Sequence, residues 1–452
     1  MLLVVVLCLL AGRGMWRAYT NSVDLKMIYA CASTWLEGGD PYDSRVILDA
    51  FHRRGGDPDR EFDPDRFVSL YPPATYALMS PLAYVSWSVA RPLWLFLNLA
   101  LVGATLVAAA RFLGWRRPQR LALLIGLVLL FGPLQTSISQ GQLTVLCLAA
   151  VMWSLLWLRE GQMVLPGLAL GLAAALKPQT AGLFVLMLPL LGRWRAFTVA
   201  TAAGLFALGI GVARLEALGH SHWLAQLLEN VTLYQPWGER GAMRTNDGWY
   251  LVLALHTPFY SFISNPAVVS CLVYVVCASA LVAIAARARI RPIAALDPAA
   301  ALVVPAAIAA LTLLPMYHRF YDAIVLIIPL LWLLARLSAG LRSWKEIVVG
   351  LGLLVFLLPN SVAMIGVAVN PRLPQWLTDH RTWEFVVMSH QVWAVVAVLF
   401  GLLAALWEQP RAAAAQQTPP TGAGTPADAA GREKQGGTAG ETDVPHRAAQ
   451  PL

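Results

Sequence analysis

The chain has 452 residues, of which 58% are hydrophobic and 13% charged, with 17 tryptophans and a formal net charge of +8. An ordinary soluble protein carries about 25% charged residues, so this composition excludes that class and indicates an all-α polytopic membrane protein. The basic residues lie in short clusters between apolar runs, which is typical of the positive-inside rule and argues against nucleic-acid binding. The five cysteines have no CxxC spacing and indicate neither a disulfide framework nor a zinc site.

The first apolar segment, residues 1–11, extends past Arg13 toward Tyr19 and predicts a short first membrane span. A signal-like segment and a start site placed too far downstream are the alternatives, and the short span is favoured because no AxA-like cleavage site precedes Asp24. Residues 23–42 then predict an amphipathic helix that ends at a Gly-Gly pair, because apolar residues recur with helical spacing up to that pair. Asp40 begins the Asp-Pro-Tyr sequence that follows, which predicts a turn.

Residues 20–91 are mostly polar or semi-polar and predict one large loop outside the membrane core, with a second half-buried helix over residues 74–88. Eleven further apolar segments bring the expected number of spans to about twelve: residues 92–113, 121–138, 142–158, 163–176, 178–191, 195–215, 266–286, 299–316, 320–335, 345–367 and 390–407. Residues 1–407 therefore predict one integral membrane domain. Residues 408–452 are rich in Ala, Gly, Pro and polar residues, and predict a disordered cytoplasmic tail.

The arginine clusters fix the expected orientation of this bundle. If the Asp24 loop faces outward, every strongly basic loop faces the cytoplasm. The same arrangement places polar stretches on the outer side: residues 139–142, 176–179, 216–265 and 316–322. We therefore expect a multi-pass protein of the inner (plasma) membrane whose site faces the extracytoplasmic side.

The polar stretches on the outer side contain a carboxylate and three cationic groups that could form a site. Asp24 lies at the start of the amphipathic helix and is the candidate catalytic base. Lys177 lies between two apolar pieces of about 14 residues, too short for spans of about 20, and an ammonium in such a recess suits a phosphate. His318 and Arg319 can bind the same phosphate. Further possible substrate contacts are Asp40, Tyr71, Gln140, Gln142, Trp249, Tyr321 and Asp322.

Each of these residues also has a structural interpretation. Asp24 can be the N-cap of its helix, and Asp40 can belong to a turn and is otherwise the second candidate for the base. Lys177 can extend to the membrane interface, and His318 with Arg319 can anchor the chain there. Gln140 and Gln142 fit helix-start polar groups. Trp237 and Trp249, in the long outer loop, either belong to interface belts or stack on a sugar.

Four stretches of the sequence resemble glycosyltransferase family 87, which includes polyprenol-phosphate-mannose-dependent α-mannosyltransferases. They are DLKMIYACASTWLEGGDPYD, YPPATYALMSPLA, GQLTVLCLAAVMWSLLWLREGQMVLPGLALGLAAALKPQTAGLFVLMLPLLGRWRA and HRFYDAIVLIIPLLWLL. The resemblance covers roughly residues 24–334. The chain departs from the family where an Asn-Gly-Gln pattern is common, since Ser139 and Gln140 precede Gly141 and Gln142 here, and where its histidine loop continues as Arg-Phe-Tyr-Asp.

The resemblance implies a C-type membrane glycosyltransferase with an extracytoplasmic active site. It implies transfer of a hexose, with mannose as the expected sugar, from a polyprenyl-phosphate donor to a lipid-linked or glycan acceptor, with inversion. Asp24 then corresponds to the first-loop acid, the base for the acceptor hydroxyl, Lys177 to the lysine of the Leu-Lys-Pro block, and His318 to the histidine of the later outer loop. No cofactor is expected, although Asp40 and Asp43 share a turn and leave a divalent metal open. A lipid-linked saccharide transporter and a non-catalytic envelope-assembly scaffold are the alternative functions.

Overall fold

A computed structural model describes residues 2–20, 22–56, 69–234, 252–288, 296–340 and 342–408. These residues belong to one compact unit, Met1–Gln409. The predicted C-terminal tail lies outside the described residues, except for Glu408, and so do Trp237 and Trp249.

The described residues form helices and no β-strand, which confirms the all-α prediction. The α-helices are Leu2–Leu9, Arg17–Thr20, Val23–Glu37, Ser44–Arg53, Pro73–Ala83, Trp87–Leu113, Pro118–Leu129, Gly132–Gln140, Thr144–Arg159, Val164–Leu176, Pro178–Leu190, Trp194–Ala217, Trp223–Tyr234, His256–Tyr260, Pro266–Arg287, Pro298–Thr312, Ile327–Ser338, Trp344–Leu354, Asn360–Ala368, Gln375–Thr378, Arg381–Trp383 and His390–Glu408. A π-helical stretch, Leu10–Trp16, joins the first two, Glu384–Met388 is also π-helical, and Phe320–Leu326 is a 3-10 helix.

Five of the described helices are long and apolar enough to cross a membrane: Trp87–Leu113, Trp194–Ala217, Pro266–Arg287, Phe320–Ser338 and His390–Glu408. Five shorter apolar helices have 10–17 residues: Pro118–Leu129, Thr144–Arg159, Val164–Leu176, Pro178–Leu190 and Pro298–Thr312. The chain is therefore a membrane protein, but the expected count of twelve spans is not confirmed. Several of the predicted apolar segments form helices shorter than a full span.

The helix break at Lys177 confirms the prediction of two short apolar pieces. Val164–Leu176 and Pro178–Leu190 are helices of 13 residues each, and Lys177 joins them with φ −146° and ψ 79°. Proline disfavours a helical conformation in the residue that precedes it. The break thus exposes helix ends and turns the lysine side chain into the protein.

Two apolar segments predicted as single spans are interrupted, and here the sequence prediction was wrong. Residues 121–138 divide into two helices near Phe131, and residues 345–367 divide near Leu357. The two interruptions pair with each other: Gly132 N donates to Phe356 O at 2.8 Å, and Leu358 N donates to Leu130 O at 3.0 Å. Prolines follow both breaks and cannot continue a helical hydrogen-bond ladder. The pairing satisfies backbone groups that lipid could not.

Three helices of the predicted outer loop form a second hydrophobic cluster beside the main core. Val23–Glu37 packs on Ser44–Arg53 and on Pro73–Ala83, and it ends at Gly38 in the left-handed conformation with φ 87°. Tyr29 lies at the centre, in aromatic contact with Phe51 and Trp87, and its hydroxyl donates to Val85 O at 2.6 Å. The helix predicted over residues 74–88 is shorter, Pro73–Ala83, and a separate helix begins at Trp87. This packing fixes the direction of the helix that carries Asp24.

Candidate functional site

A cavity of about 410 Å³ lies where the start of the Val23–Glu37 helix meets the two paired helix interruptions. Its polar and apolar lining residues are Arg13, Val23, Asp24, Gly132, Thr136, Gln140, Arg319, Phe320, Tyr321, Leu358, Ser361, Val362 and Ile365. Four of the predicted site residues therefore border one cavity. The cavity combines a carboxylate and two guanidinium groups with an apolar wall.

Asp24 is half-buried and is the second residue of its helix. The N-cap position belongs to Ser22, whose backbone is left-handed with φ 39°, so the interpretation of Asp24 as the N-cap is wrong. Burial raises the pKa of Asp24 above that of an ordinary aspartate, while a hydrogen bond from Gln142 and the charges of Arg319 and Lys177 oppose that rise. Asp24 is thus a half-buried carboxyl group with a raised pKa, outside the candidate spans.

Lys177 is buried and contacts three side chains. Its Nζ lies 2.6 Å from Asp322 Oδ1, 2.9 Å from Gln142 Oε1 and 3.0 Å from Thr144 Oγ1. The side chains of Lys177 and Asp322 are only 3% and 5% exposed. The interpretation of Lys177 as an interface-seeking lysine is therefore wrong. Its ammonium is held inside the protein by a carboxylate, and it does not line the cavity.

Asp322 also contacts His318 and Arg319, which belong to the same His-Arg-Phe-Tyr-Asp stretch. His318 Nδ1 lies 3.3 Å from Asp322 Oδ2, and the backbone N–H of Arg319 donates to the same oxygen at 3.1 Å. His318 is fully buried, so it is not an interfacial anchor. Arg319 is half-buried, packs on the Tyr317 ring and lines the cavity. Of the three predicted phosphate-binding cations, Arg319 is thus the one at the cavity surface.

Gln142 links the two carboxylate regions. Its Oε1 accepts from Lys177 Nζ, and its amide forms side-chain hydrogen bonds with Asp24 and with Tyr71. Because an ammonium only donates hydrogen bonds, the Gln142 oxygen faces Lys177 and its NH₂ group faces Asp24. Gln142 is therefore more than the helix-start polar group of the structural interpretation.

The other predicted contacts are placed differently. Gln140 and Tyr321 line the cavity, and the Tyr321 ring centroid lies 5.2 Å from Lys177 Nζ. Asp40 accepts a hydrogen bond from Tyr42 N at 2.9 Å, which is a turn contact. The helix between Asp24 and Asp40 is about 20 Å long, so Asp40 is remote from the cavity. The structure therefore does not place Asp40 where a second base would be needed, and Trp249 lies outside the described residues.

Sequence reasoning missed Arg13, Thr136 and Ser361 as cavity residues. Arg13 had a signal, because it is a charge inside an apolar N-terminal segment. Thr136 and Ser361 had none, because each lies within a segment predicted as a continuous span. Their exposure to the cavity depends on the paired helix interruptions.

Among the described residues, no group of three or more His, Cys, Asp or Glu side chains is placed to hold a metal ion. Asp40 and Asp43, which share a turn, both accept backbone N–H groups. The arrangement at the cavity instead supplies one carboxylate that can accept a proton and guanidinium groups that can neutralise an anion.

Comparison with known families gives one match. The family model of glycosyltransferase family 87 matches residues 69–304, just over half of the chain. The matched range includes Tyr71, Gln140, Gln142 and Lys177, whereas Asp24 and residues 318–322 lie outside it. Comparisons with curated proteins and with solved structures found no match. The chain belongs to glycosyltransferase family 87 and is a membrane glycosyltransferase.

Proposed function

We propose that this protein transfers a hexose, with mannose as the expected sugar, from a polyprenyl-phosphate donor to a lipid-linked or glycan acceptor on the extracytoplasmic side, with inversion. The observation that carries the proposal is that Asp24 and Arg319 line one cavity beside an apolar wall. A base, an anion-binding group and an apolar surface are the three features that a lipid-phosphate sugar and an incoming hydroxyl require together.

Asp24 is the proposed base. The acceptor oxygen attacks the anomeric carbon as its proton passes to the Asp24 carboxylate, and the bond from that carbon to the phosphate oxygen breaks. The electron pair of the broken bond leaves with the polyprenyl phosphate. Because attack and departure occur on opposite faces, one base is enough for inversion. The half-buried position of Asp24 favours this role, because a carboxylate removed from water is a stronger base.

Arg319 and Arg13 line the same cavity and are best placed to neutralise the charge of the leaving phosphate. Guanidinium groups match phosphate oxygens in a two-pronged geometry. Lys177 and His318 stay predicted donor phosphate ligands, but they already contact Asp322 and must exchange part of that contact to reach a phosphate. In the described conformation their contacts hold the polar layer together.

The apolar wall of the cavity suits the isoprenoid part of the donor. Leu358, Val362 and Ile365 come from the second paired interruption and the helix that follows it. Within a membrane protein, an apolar surface beside cations is where a lipid phosphate and its chain can bind at once. The donor is therefore proposed to approach with its phosphate at Arg319 and its chain along these residues.

A transporter of lipid-linked saccharides is the main alternative. The two additional helix interruptions resemble the discontinuous helices of many transporters. A proton acceptor inside the cavity favours the enzyme, because transport of a lipid phosphate needs cations but no general base. A scaffold in envelope assembly requires neither group.

The test is transfer by the purified full-length protein in lipid vesicles, with polyprenyl-phosphate-mannose and a panel of mannose-containing lipid acceptors. We expect wild-type transfer and a loss of about 10²–10⁴-fold in Asp24→Asn, the range associated with a general base. Asp40→Asn is the matched control, since it removes a carboxyl from the turn that follows the same helix, and it should retain near wild-type activity.

Folding is checked by thermal melting of the same preparations. A carboxyl with a raised folded-state pKa destabilises the folded protein increasingly as pH rises from its unfolded pKa to its folded pKa. Asp24→Asn should consequently melt no lower than wild type at neutral pH. An active Asp24→Asn protein would remove Asp24 from the mechanism. Donor movement across the vesicle without transfer would favour the transporter, and transfer of another hexose alone would correct the sugar.

A further inference from the structure

A second cavity, of about 660 Å³, lies where three helices end or begin. It is formed by the last turns of Trp87–Leu113 and Thr144–Arg159 and by the first turns of Pro118–Leu129. The lining residues are Leu106, Val107, Ala110, Arg111, Gly114, Trp115, Arg116, Leu121, Leu124, Ile125, Leu156 and Glu160. We call it the arginine groove. Its volume falls within the range of about 300–1,000 Å³ that is usual for ligand sites.

The arginine groove lies at the opposite end of the bundle from Asp24. The Trp94 indole donates to Gly141 O at 2.9 Å, one residue from Gln142 in the polar layer. Arg111 is on the same helix, and the helical rise places it about 25 Å farther along the axis. That distance approaches the hydrocarbon thickness of a bilayer, about 30 Å. The groove therefore opens near the membrane surface that the basic loops mark as cytoplasmic.

The floor of the groove is apolar and its rim is cationic. Leu124 and Leu156 are buried at the floor, while Arg111 and Arg116 are exposed at the rim. An apolar floor at membrane depth, below two guanidinium groups at the membrane surface, matches a molecule with a fatty chain and an anionic head.

One of the rim arginines is available without a competing carboxylate. Among the residues that the structure describes, Arg116 has no ion-pair partner. Arg111 Nη2 lies 2.8 Å from Glu160 Oε1, but both side chains are partly solvent-exposed, by 54% and 35%. Exposed ion pairs contribute little to stability, so a phosphate can displace Glu160 from Arg111. The Arg120 guanidinium, 5.8 Å from the Trp115 ring centroid, adds a further positive charge beside the rim.

We propose that the arginine groove binds an anionic phospholipid of the cytoplasmic leaflet. The acyl chain lies on the Leu124 and Leu156 floor, and the phosphate is held by Arg111 and Arg116. Basic pockets between membrane helices on this side are general binding sites for anionic headgroups. This site is separate from the cavity at Asp24 and does not depend on the proposed transfer reaction.

The test is native mass spectrometry of the detergent-purified full-length protein, titrated with phosphatidylglycerol or with phosphatidylethanolamine of the same acyl chains. We expect wild type to bind phosphatidylglycerol in preference. The double variant Arg111→Gln/Arg116→Gln should bind it about thirtyfold more weakly, from about fivefold for each arginine near an anionic headgroup. Arg195→Gln is the matched control, because it removes an exposed arginine from the start of another helix, outside the groove.

Glu160→Gln provides a test with the opposite sign. It removes the carboxylate that competes for Arg111, so binding of phosphatidylglycerol should become tighter, whereas loss of a merely structural ion pair would not tighten binding. Equal losses in the double variant and in Arg195→Gln would show diffuse attraction and overturn the proposal. So would equal binding of both lipids by wild type, or displacement of phosphatidylglycerol by the same concentration of inorganic phosphate.

Discussion

Asp24 and Asp322 are two carboxylates of one polar layer in opposite surroundings. Asp322 is buried, and Lys177, His318, Thr144 and the backbone of Arg319 all contact it. Asp24 is half-buried and lines a cavity, with the Gln142 amide as its hydrogen-bonding side chain. The difference indicates separate tasks: a carboxylate whose lone pairs are occupied holds other groups in place, whereas one that faces a cavity can accept a proton.

A series of side-chain contacts links the two carboxylates. Asp322 contacts Lys177, Lys177 contacts Gln142, and Gln142 contacts Asp24. Each contact orients the next: Asp322 fixes the Lys177 ammonium, the ammonium fixes the Gln142 oxygen, and the Gln142 NH₂ group faces Asp24. Through these contacts the buried cluster helps to set the position of the cavity carboxylate. Variants on either side should separate stability from activity.

The largest effect should come from breaking the buried cluster. Asp322→Asn leaves the Lys177 ammonium in the protein interior without its counter-charge, and loss of one partner of a buried ion pair costs about 3–5 kcal/mol. We expect the variant to melt well below wild type in detergent. The double variant Asp322→Leu/Lys177→Met, which removes both charges, should recover a large part of that loss.

Asp24, the other carboxylate of the polar layer, serves as the control for this prediction. Asp24→Asn should melt no lower than wild type, since it removes a carboxyl whose charged form is disfavoured in the fold. An Asp322→Asn protein that melts like wild type would show that Lys177 does not depend on the pair, and the assignment of separate tasks would fail.

Local sequence features predict some parts of the fold and the candidate site, whereas contacts between distant residues are not predicted. The break at Lys177 was visible, because a lone lysine followed by proline interrupts an apolar run. The end of the Val23–Glu37 helix was visible in Gly38 for a similar local reason. A charge is costly near a membrane and usually has a function, which is why the sequence predicts Asp24, Lys177, His318 and Arg319 as site residues.

The pairing of these residues was not visible, since it depends on contacts between distant parts of the chain. Lys177 and Asp322 are 145 residues apart, and the sequence predicts Asp322 as a substrate contact and not as the partner of the lysine. The sequence does not predict the helix interruptions near Phe131 and Leu357, for another reason. Hydropathy measures how apolar a segment is and does not report whether its backbone hydrogen bonds run within one helix or between two.

A smaller effect should come from the side chain that joins the two regions. Gln142→Leu removes the amide donor to Asp24 and one acceptor of Lys177. Hydrogen bonds to charged groups are worth about 1.5–3 kcal/mol, so transfer should fall by about 10–100-fold, mainly in kcat. The measurement is steady-state transfer with melting recorded on the same sample.

Gln142→Glu separates positioning from packing. It keeps an oxygen for Lys177, so the melting temperature should stay near that of wild type, but it loses the donor to Asp24 and places a second acid beside it. Activity should therefore fall at neutral pH and recover in part toward higher pH only if Asp24 titrates in the reaction. A uniform loss at every pH would assign Gln142 a packing role alone.

The pH dependence of wild-type transfer gives the smallest and sharpest distinction between the two carboxylates. A base acts only when deprotonated, and burial raises the pKa of Asp24 above the usual value of about 3.9 for an aspartate. Activity should therefore decline as pH falls through that raised pKa, so the acidic limb of the kcat/KM profile lies above the range of an ordinary aspartate.

Gln142→Leu should move this acidic limb to still higher pH, because the Gln142 hydrogen bond favours the charged form of Asp24. Melting curves recorded at each pH distinguish a titrating base from loss of the folded protein. A limb that coincides with the loss of folded protein, or that does not move in Gln142→Leu, would mean that Asp24 is not the titrating base.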